Sequence, residues 1–282
     1  MKFGANTWIW FSPVTMDDLK SVVPRLATAG FDLIELPLES INAFDYTEAA
    51  ALIRDYGLGV SATPAIGPDR DLIHPDKEVR ERGLVYVRHC IEAAQTLGAT
   101  NLIGPLYSAV GRVWQATAEE RARDLELAAS QLSSLAAYAA DHGVVLCLEP
   151  LNRFETSFIN LASQAIELIE RVASPACQLM LDTFHMNIEE SSMAETIRAV
   201  GPYLRHIHAS ESHRGVPGQG HIPWAEVGQA LKDINYEGPV VIESFTAQVK
   251  TIARAAAIWR PLAPTQDAIA FEGLSFLRKL LG

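Results

Sequence analysis

The chain has 282 residues, 49% hydrophobic and 20% charged, with a formal net charge of −11. That length can bury a full core in one large domain or two modest ones. The acidic balance makes nucleic acid and anionic membrane poor partners, because phosphate binding needs a basic face.

The chain opens on KFGANTW (2–8), which reads as a first strand; it lacks the long apolar core and small-residue cleavage site of a signal peptide. Further strands are expected at 31–36 (FDLIEL), 58–63 (LGVSAT), 100–105 (TNLIGP), 144–149, 178–182, 204–208 and 239–243. Helical periodicity fills the intervals. Residues 77–97 set Val79, Leu84, Val87, Ile91 and Ala94 near one stripe, and 118–141 is rich in Ala, Leu and Glu. Gly30, Gly57, Gly98, Gly143 and Gly238 each stand just before a strand, as helix-ending glycines do. Residues 209–223 (ASESHRGVPGQGHIP) carry three Gly and two Pro and read as an ordered loop over one mouth of the fold. Residues 248–281 hold two helical stretches broken at Pro261 and Pro264, with Trp259 and Phe276 expected to pack on the wall below them.

Eight strand–helix units in strict alternation predict a parallel sheet, and eight is the number that closes a (β/α)8 TIM barrel. An open doubly wound sheet would carry a Gly-rich turn after the first strand, where this chain has WIWFSP. Neither GxGxxG nor GxxxxGK[ST] occurs, so no nucleotide cofactor is expected. No linker or charge block divides the chain, which is read as one α/β domain over 1–282 with its C-terminal helices packed on the barrel. No apolar run approaches the roughly 20 residues of a membrane span. Cys90, Cys147 and Cys177 are scattered without CxxC spacing, which favours reduced thiols and a cytoplasmic home.

The last four strands carry the chemistry. The runs VVLCLE, QLMLD, LRHIH and PVVIE are apolar and each ends on a metal-binding or acid/base group: Glu149, Asp182, His208 and Glu243. In a parallel barrel all strand C-termini open on one face, so the four converge. Three uncompensated carboxylates brought together would repel and hold each other's pKa values up, a difficulty that a bound cation removes. Alternation sets Cys147 on the face of Glu149, one layer deeper. On the seventh strand His206 and His208 share a face; His208, nearer the end, is the expected ligand, with His206 below it as a hydrogen-bonded core residue. Oxygen-rich ligation with one imidazole suits Mn²⁺ or Mg²⁺, and also admits Co²⁺.

The stretches LCLEPLNRFET, LMLDTFHMNIEE, IHASESHRGVPGQGHIPW and VVIESFT, with the tail VKTIARAAAIWRPLAP, strongly resemble the ketose 3-epimerases. These are the D-tagatose, D-allulose and L-ribulose 3-epimerases of the sugar isomerase/epimerase barrels. The resemblance covers most of the chain and is densest from Val144 onward. It implies a (β/α)8 barrel, one Mn²⁺ or similar ion on Glu149, Asp182, His208 and Glu243, and Glu149 with Glu243 as an acid/base pair on opposite faces of a ketose. It implies that His185, Arg214 and Glu155 hydrogen-bond the sugar near its C1 to C3 oxygens. It also suggests Trp114 and Phe245 as apolar walls, with Trp8 and Trp10 as further candidates, and a homodimer or homotetramer.

The chemistry expected is removal of the C3 proton alpha to a C2 carbonyl and its return from the other face. A cation stabilises the enediolate and two carboxylates supply the two faces. A free ketose is preferred over a sugar phosphate, since only Arg214 and His213 could meet a phosphate. The nearest rival is an aldose–ketose isomerase on the same barrel. A metal-dependent phosphodiesterase of the endonuclease IV type would need more metal ligands and a basic groove.

Overall fold

Alternating apolar runs become eight strands in the computed structural model, which describes residues 1–282. They are β1 Lys2–Asn6, β2 Leu33–Leu38, β3 Gly59–Pro64, β4 Asn101–Gly104, β5 Val145–Leu148, β6 Cys177–Asp182, β7 Leu204–His208 and β8 Pro239–Ile242. All pair in parallel and in chain order, and β8 closes back onto β1, so the predicted TIM barrel forms as one domain. The helices are α1 Met16–Ala29, α2 Tyr46–Asp55, α3 Lys77–Leu97, α4 Ala118–Asp141, α5 Ala162–Val172, α6 Thr183–Glu189, α7 Met193–Val200, α8 Trp224–Asp233, α9 Lys250–Ala255 and α10 Gln266–Leu281.

Local chemistry sets the helix ends. The Thr117 side chain accepts from the Glu120 N–H while the Glu120 carboxylate accepts from the Thr117 N–H, and Thr15 with Asp18 does the same for α1. Each such box contributes about 1 kcal/mol. Asp76 caps α3, and Gly98 ends it at φ +76°, a left-handed backbone that suits glycine.

Strand alternation then divides the core. Leu146 and Leu148 of β5 join the layer between barrel and helices, whereas Cys147 packs with Ile103 and Met180 inside the barrel. These three form an apolar floor under the C-terminal mouth. β6 and β7 carry a register shift at Leu179/Met180, beyond which Asp182 lies directly beside His208. Bulges of this kind re-aim side chains next to active sites.

Several expectations need adjustment. β1 ends at Asn6, because the Asn6 side chain accepts the Trp8 N–H at 2.8 Å and turns Thr7–Ile9 into a 3-10 helix. β5 and β8 stop one residue before Glu149 and Glu243, so these two carboxylates open their loops. Trp259 does not pack on the barrel wall; it is 74% exposed. A left-handed Ala257 (φ +55°) redirects the chain so that Ile258 goes inward beside Trp8 and Phe245. Phe276 does pack, edge-on to Trp224 at 5.7 Å. α10 lies so close to β8 that a Cβ on Gly273 would stand 2.9 Å from Ile242. No helix is long and apolar enough to cross a membrane.

Candidate active site

The four strand ends converge as the alternation requires. His208 Nδ1 lies 3.9 Å from Glu149 Oε1, 3.9 Å from Asp182 Oδ2 and 3.4 Å from Glu243 Oε2, with all four side chains buried. Neither Glu149 Oε1 nor His208 Nδ1 has a hydrogen-bond partner. A buried acceptor left unmatched costs about 1–3 kcal/mol, more when charged. Three carboxylates and an imidazole lone pair turned on one small space are the donor set of a divalent cation, and the residues fit one.

The opposite side of the His208 ring explains its orientation. Nε2 meets Glu35 Oε1 at 2.8 Å and so carries a proton, which turns Nδ1 toward the carboxylates and leaves its lone pair to a cation once the ring is neutral. Glu35, on β2, is fully buried; it accepts from Asn6 Nδ2 (2.9 Å) and Ser61 Oγ (2.7 Å), and His206 Nε2 stands 3.0 Å from its second oxygen. The His206 contact has the distance but not the angle of a hydrogen bond, and is electrostatic. Glu35 was not anticipated from sequence. Its signal was an acid inside the apolar run FDLIEL, on a strand that closure brings to the two histidines.

His185 sits in the first turn of α6. Its Nδ1 accepts the Asn152 backbone N–H at 3.1 Å, so Nε2 carries the hydrogen, 3.8 Å from Glu149 Oε1 and 3.9 Å from Asp182 Oδ2. Burial lowers this imidazole to about 3, so it is a neutral donor. Arg214, held at φ +61° on the loop after β7, donates from Nη1 to Asp182 Oδ2 (2.7 Å), Glu243 Oε2 (2.8 Å) and Ser210 Oγ (2.8 Å). Its guanidinium lies between the rings of Phe184 (4.2 Å) and Phe245 (5.0 Å). Burial opposes that charge, but Asp182 and Glu243 outweigh it and keep Arg214 protonated. Asn152 Nδ2 also donates to Glu155 Oε1 at 2.8 Å, and burial holds Glu155 above the usual carboxylate range.

The two glutamates differ in proton affinity. Burial, reinforced by the Glu243 and Asp182 charges, holds Glu149 well above the carboxylate range. Burial also acts on Glu243, but His208 and Arg214 together outweigh it and leave its pKa below the ordinary value.

Glu149, Glu155, His185, Arg214, Glu243 and Phe245 share the wall of one cavity of about 540 Å³ at the C-terminal mouth. Trp8 joins them, 5.9 Å from Phe245. Trp114 does not reach this wall: its ring lies under Arg112 at 4.3 Å and against Phe158. Trp10 is also elsewhere, its Nε1 donating to Asp267 at the start of α10. The 209–223 loop is ordered by a residue not foreseen, Glu211. It is buried and accepts from the Ser212, Gly218 and Ile222 backbone N–H groups and from Trp224 Nε1.

The site lies at the C-terminal face of the barrel, where enzymes on this fold carry their active sites. A family profile described as xylose isomerase-like TIM barrel matches residues 23–280. The D-psicose 3-epimerase of Agrobacterium fabrum is 35% identical over 92% of this chain and 92% of its own length. A solved D-allulose 3-epimerase of Methylomonas sp. in complex with D-allulose superposes with a TM-score of 0.93 at 30% identity, covering 99% of this chain and 97% of that one. D-psicose 3-epimerase of Clostridium cellulolyticum with D-tagatose gives a TM-score of 0.89 at 32% identity, covering 100% and 99%. The chain belongs to the ketose 3-epimerase family of the xylose isomerase-like barrels.

Proposed function

We propose that this enzyme interconverts the C3 epimers of an unphosphorylated ketose, using one divalent ion, Mn²⁺ in preference to Mg²⁺ or Co²⁺, held by Glu149, Asp182, His208 and Glu243. The carrying observation is the convergence of three buried carboxylates on one imidazole, His208 Nδ1 lying 3.9 Å from Glu149 and Asp182 and 3.4 Å from Glu243. An epimerase must hold one carboxyl protonated and the other ionised at the same moment. When bound, the ion acts as a Lewis acid that stabilises negative charge developing on the sugar oxygens. In one direction Glu243 takes the C3 proton, the C–H electrons moving into the C2–C3 bond to give an enediolate. Glu149 then delivers its proton to C3 from the opposite side, and the reverse reaction exchanges the roles. The His185 Nε2–H and the Arg214 guanidinium orient the ketone end, with Glu155 accepting from a hydroxyl there. Phe245 and Trp8 supply an apolar wall.

The relatives support the substrate class, since solved members of the family carry D-allulose or D-tagatose. A cytoplasmic location is consistent with three free, buried cysteines. Assembly as a homodimer or homotetramer is consistent with the exposure of Trp259 and Phe154, each 74% accessible.

The test is a ketose panel of D-fructose and D-tagatose with metal-stripped enzyme, then Mn²⁺ re-addition. C3 epimers should form only with metal, and Glu149→Gln or Glu243→Gln should each abolish turnover at unchanged fold. Aldose products would indicate proton transfer between C1 and C2 instead. Turnover near wild type in either variant would refute the two-carboxylate scheme.

A further inference from the structure

The cavity continues past the proton-transfer pair to a second polar group that the chemistry above leaves unused. Glu39, just beyond β2, and Arg70, in the loop after β3, line the same cavity as Glu149 and Glu243. In a closed eight-stranded barrel, β2 and β3 stand across the mouth from β6 and β7, which bring His185 and Arg214. An aromatic wall joins the two ends. Arg214 lies over Phe245, Phe245 meets Trp8, and Trp8 Nε1 donates to Glu39 Oε1 at 3.2 Å.

Both side chains are fixed before any ligand arrives. Ser12 Oγ donates to Glu39 Oε1 at 2.6 Å, beside the Trp8 contact. The Arg70 guanidinium stacks 4.0 Å over the Tyr86 ring and donates from Nη2 to the Glu39 backbone carbonyl at 3.2 Å. Glu39 Oε2 and Arg70 Nε are nevertheless buried without partners, and the two charged groups form no ion pair with each other. The carboxylate nearest Arg70 Nε is Asp69, at 3.9 Å and beyond hydrogen-bond range. Unmatched buried polar atoms are costly, and a pair held rigidly at a cavity wall is matched at the least cost by a ligand. A fixed acceptor beside a fixed donor complements a hydroxyl, which donates to one and accepts from the other. It does not suit a phosphate, which Glu39 would repel.

We infer that Glu39 and Arg70 form a subsite for the terminal hydroxyls of an unphosphorylated ketohexose, so that this enzyme discriminates at the end of the sugar remote from C3. The inference rests on the epimerase reading, which places the ketone end at His185 and Arg214 and sends the rest of the chain across the mouth. It makes Glu39 and Arg70 specificity-determining residues with no part in proton transfer.

The experiment measures kcat/KM for C3 epimerisation of D-fructose, 5-deoxy-D-fructose and 6-deoxy-D-fructose by the Mn²⁺-loaded wild type, Glu39→Gln, Glu39→Leu and Arg70→Met. One hydrogen bond to a charged group corresponds to about tenfold or more in discrimination. The wild type should therefore prefer D-fructose over at least one deoxy sugar by about that factor. In Glu39→Gln and Arg70→Met the ratio should collapse toward one. A role confined to holding the loops would lower all three sugars together and leave the ratio intact, and the isosteric Glu39→Gln guards against misfolding of the leucine variant. Wild-type turnover without discrimination, or discrimination that survives in the variants, overturns the subsite alone. Failure of the wild type to epimerise any ketose overturns the epimerase reading first, and the subsite with it.

Discussion

Removing Glu35 should weaken the proposed metal centre without touching any of its four proposed ligands. In Glu35→Ala the Asn6 amide, the Ser61 hydroxyl and the two imidazoles His206 and His208 lose the carboxylate that all four face inside the barrel. Leaving buried partners of an ion pair uncompensated costs about 3–5 kcal/mol. For a chain of this size, that is a fall of about 5–8 °C in melting temperature. His208 also loses the group that holds its proton on Nε2, so the ring is free to protonate Nδ1 or to turn away from the carboxylates. Loss of a group that orients a ligand typically weakens metal binding about 10- to 100-fold. Glu35→Gln separates the two effects. Its amide can keep oxygen toward His208 and turn its NH2 toward Ser61, whose hydroxyl can rotate to accept, so stability should fall by only about 1–2 kcal/mol. Differential scanning calorimetry reads the stability and chelator competition reads the Mn²⁺ affinity. Wild-type Mn²⁺ affinity in folded Glu35→Ala would refute the claim that Glu35 fixes the ligand.

Metal affinity should rise with pH. Although burial lowers His208, the Glu243 and Glu35 carboxylates outweigh it and raise that imidazole well above its ordinary value. That ring holds a proton that the cation must displace, so Mn²⁺ binds more weakly below the raised value and releases a proton on binding. Calorimetric titration in buffers of different ionisation heat should detect that release, and a pH-independent affinity would contradict it. At Glu211 burial acts to raise the carboxyl, but the Trp224 indole and the three backbone N–H groups outweigh it and leave the pKa low. A depressed folded value means the contribution is complete above the unfolded value of about 4.3 and is lost as pH falls through the folded one. The 209–223 loop should therefore open first in acid, read as faster hydrogen exchange at Ser212, Gly218 and Ile222. Glu211→Ala should produce the same exchange at neutral pH with a loss of about 2–4 kcal/mol; unchanged protection would show that the loop is held otherwise.

The barrel and its four convergent groups were legible because both depend on short-range regularities. Strand alternation with a period of two fixes which residues point inward, and β–α repetition fixes which ends share a face. What escaped was whatever depends on closure. Glu35 answers His208 across 173 positions of sequence, and Trp10 answers Asp267 across 257. A trace of Glu35 was nonetheless present. Two histidines share a face on LRHIH, one more than the expected metal site uses, and an extra buried imidazole calls for a carboxylate. Trp114 and Trp259 were misjudged for a different reason. Aromatic character predicts burial or contact on average, but their local backbone paths put one under Arg112 and the other in solvent.

The charge balance of the site ties these pieces together. Four buried carboxylates, Glu35, Glu149, Asp182 and Glu243, surround His208, while burial keeps His185 and His206 neutral and pushes Glu155 toward its protonated form. Arg214 is the one permanent cation among them. With a divalent ion in place the positive charge falls short of the carboxylates by a single unit, so the neutral assembly holds one further proton. Under the proposed scheme that proton belongs to Glu149 and Glu243 together, from where it could be delivered to carbon and recovered. On this view Glu35 has two functions: it orients His208, and its negative charge keeps that one proton within the site.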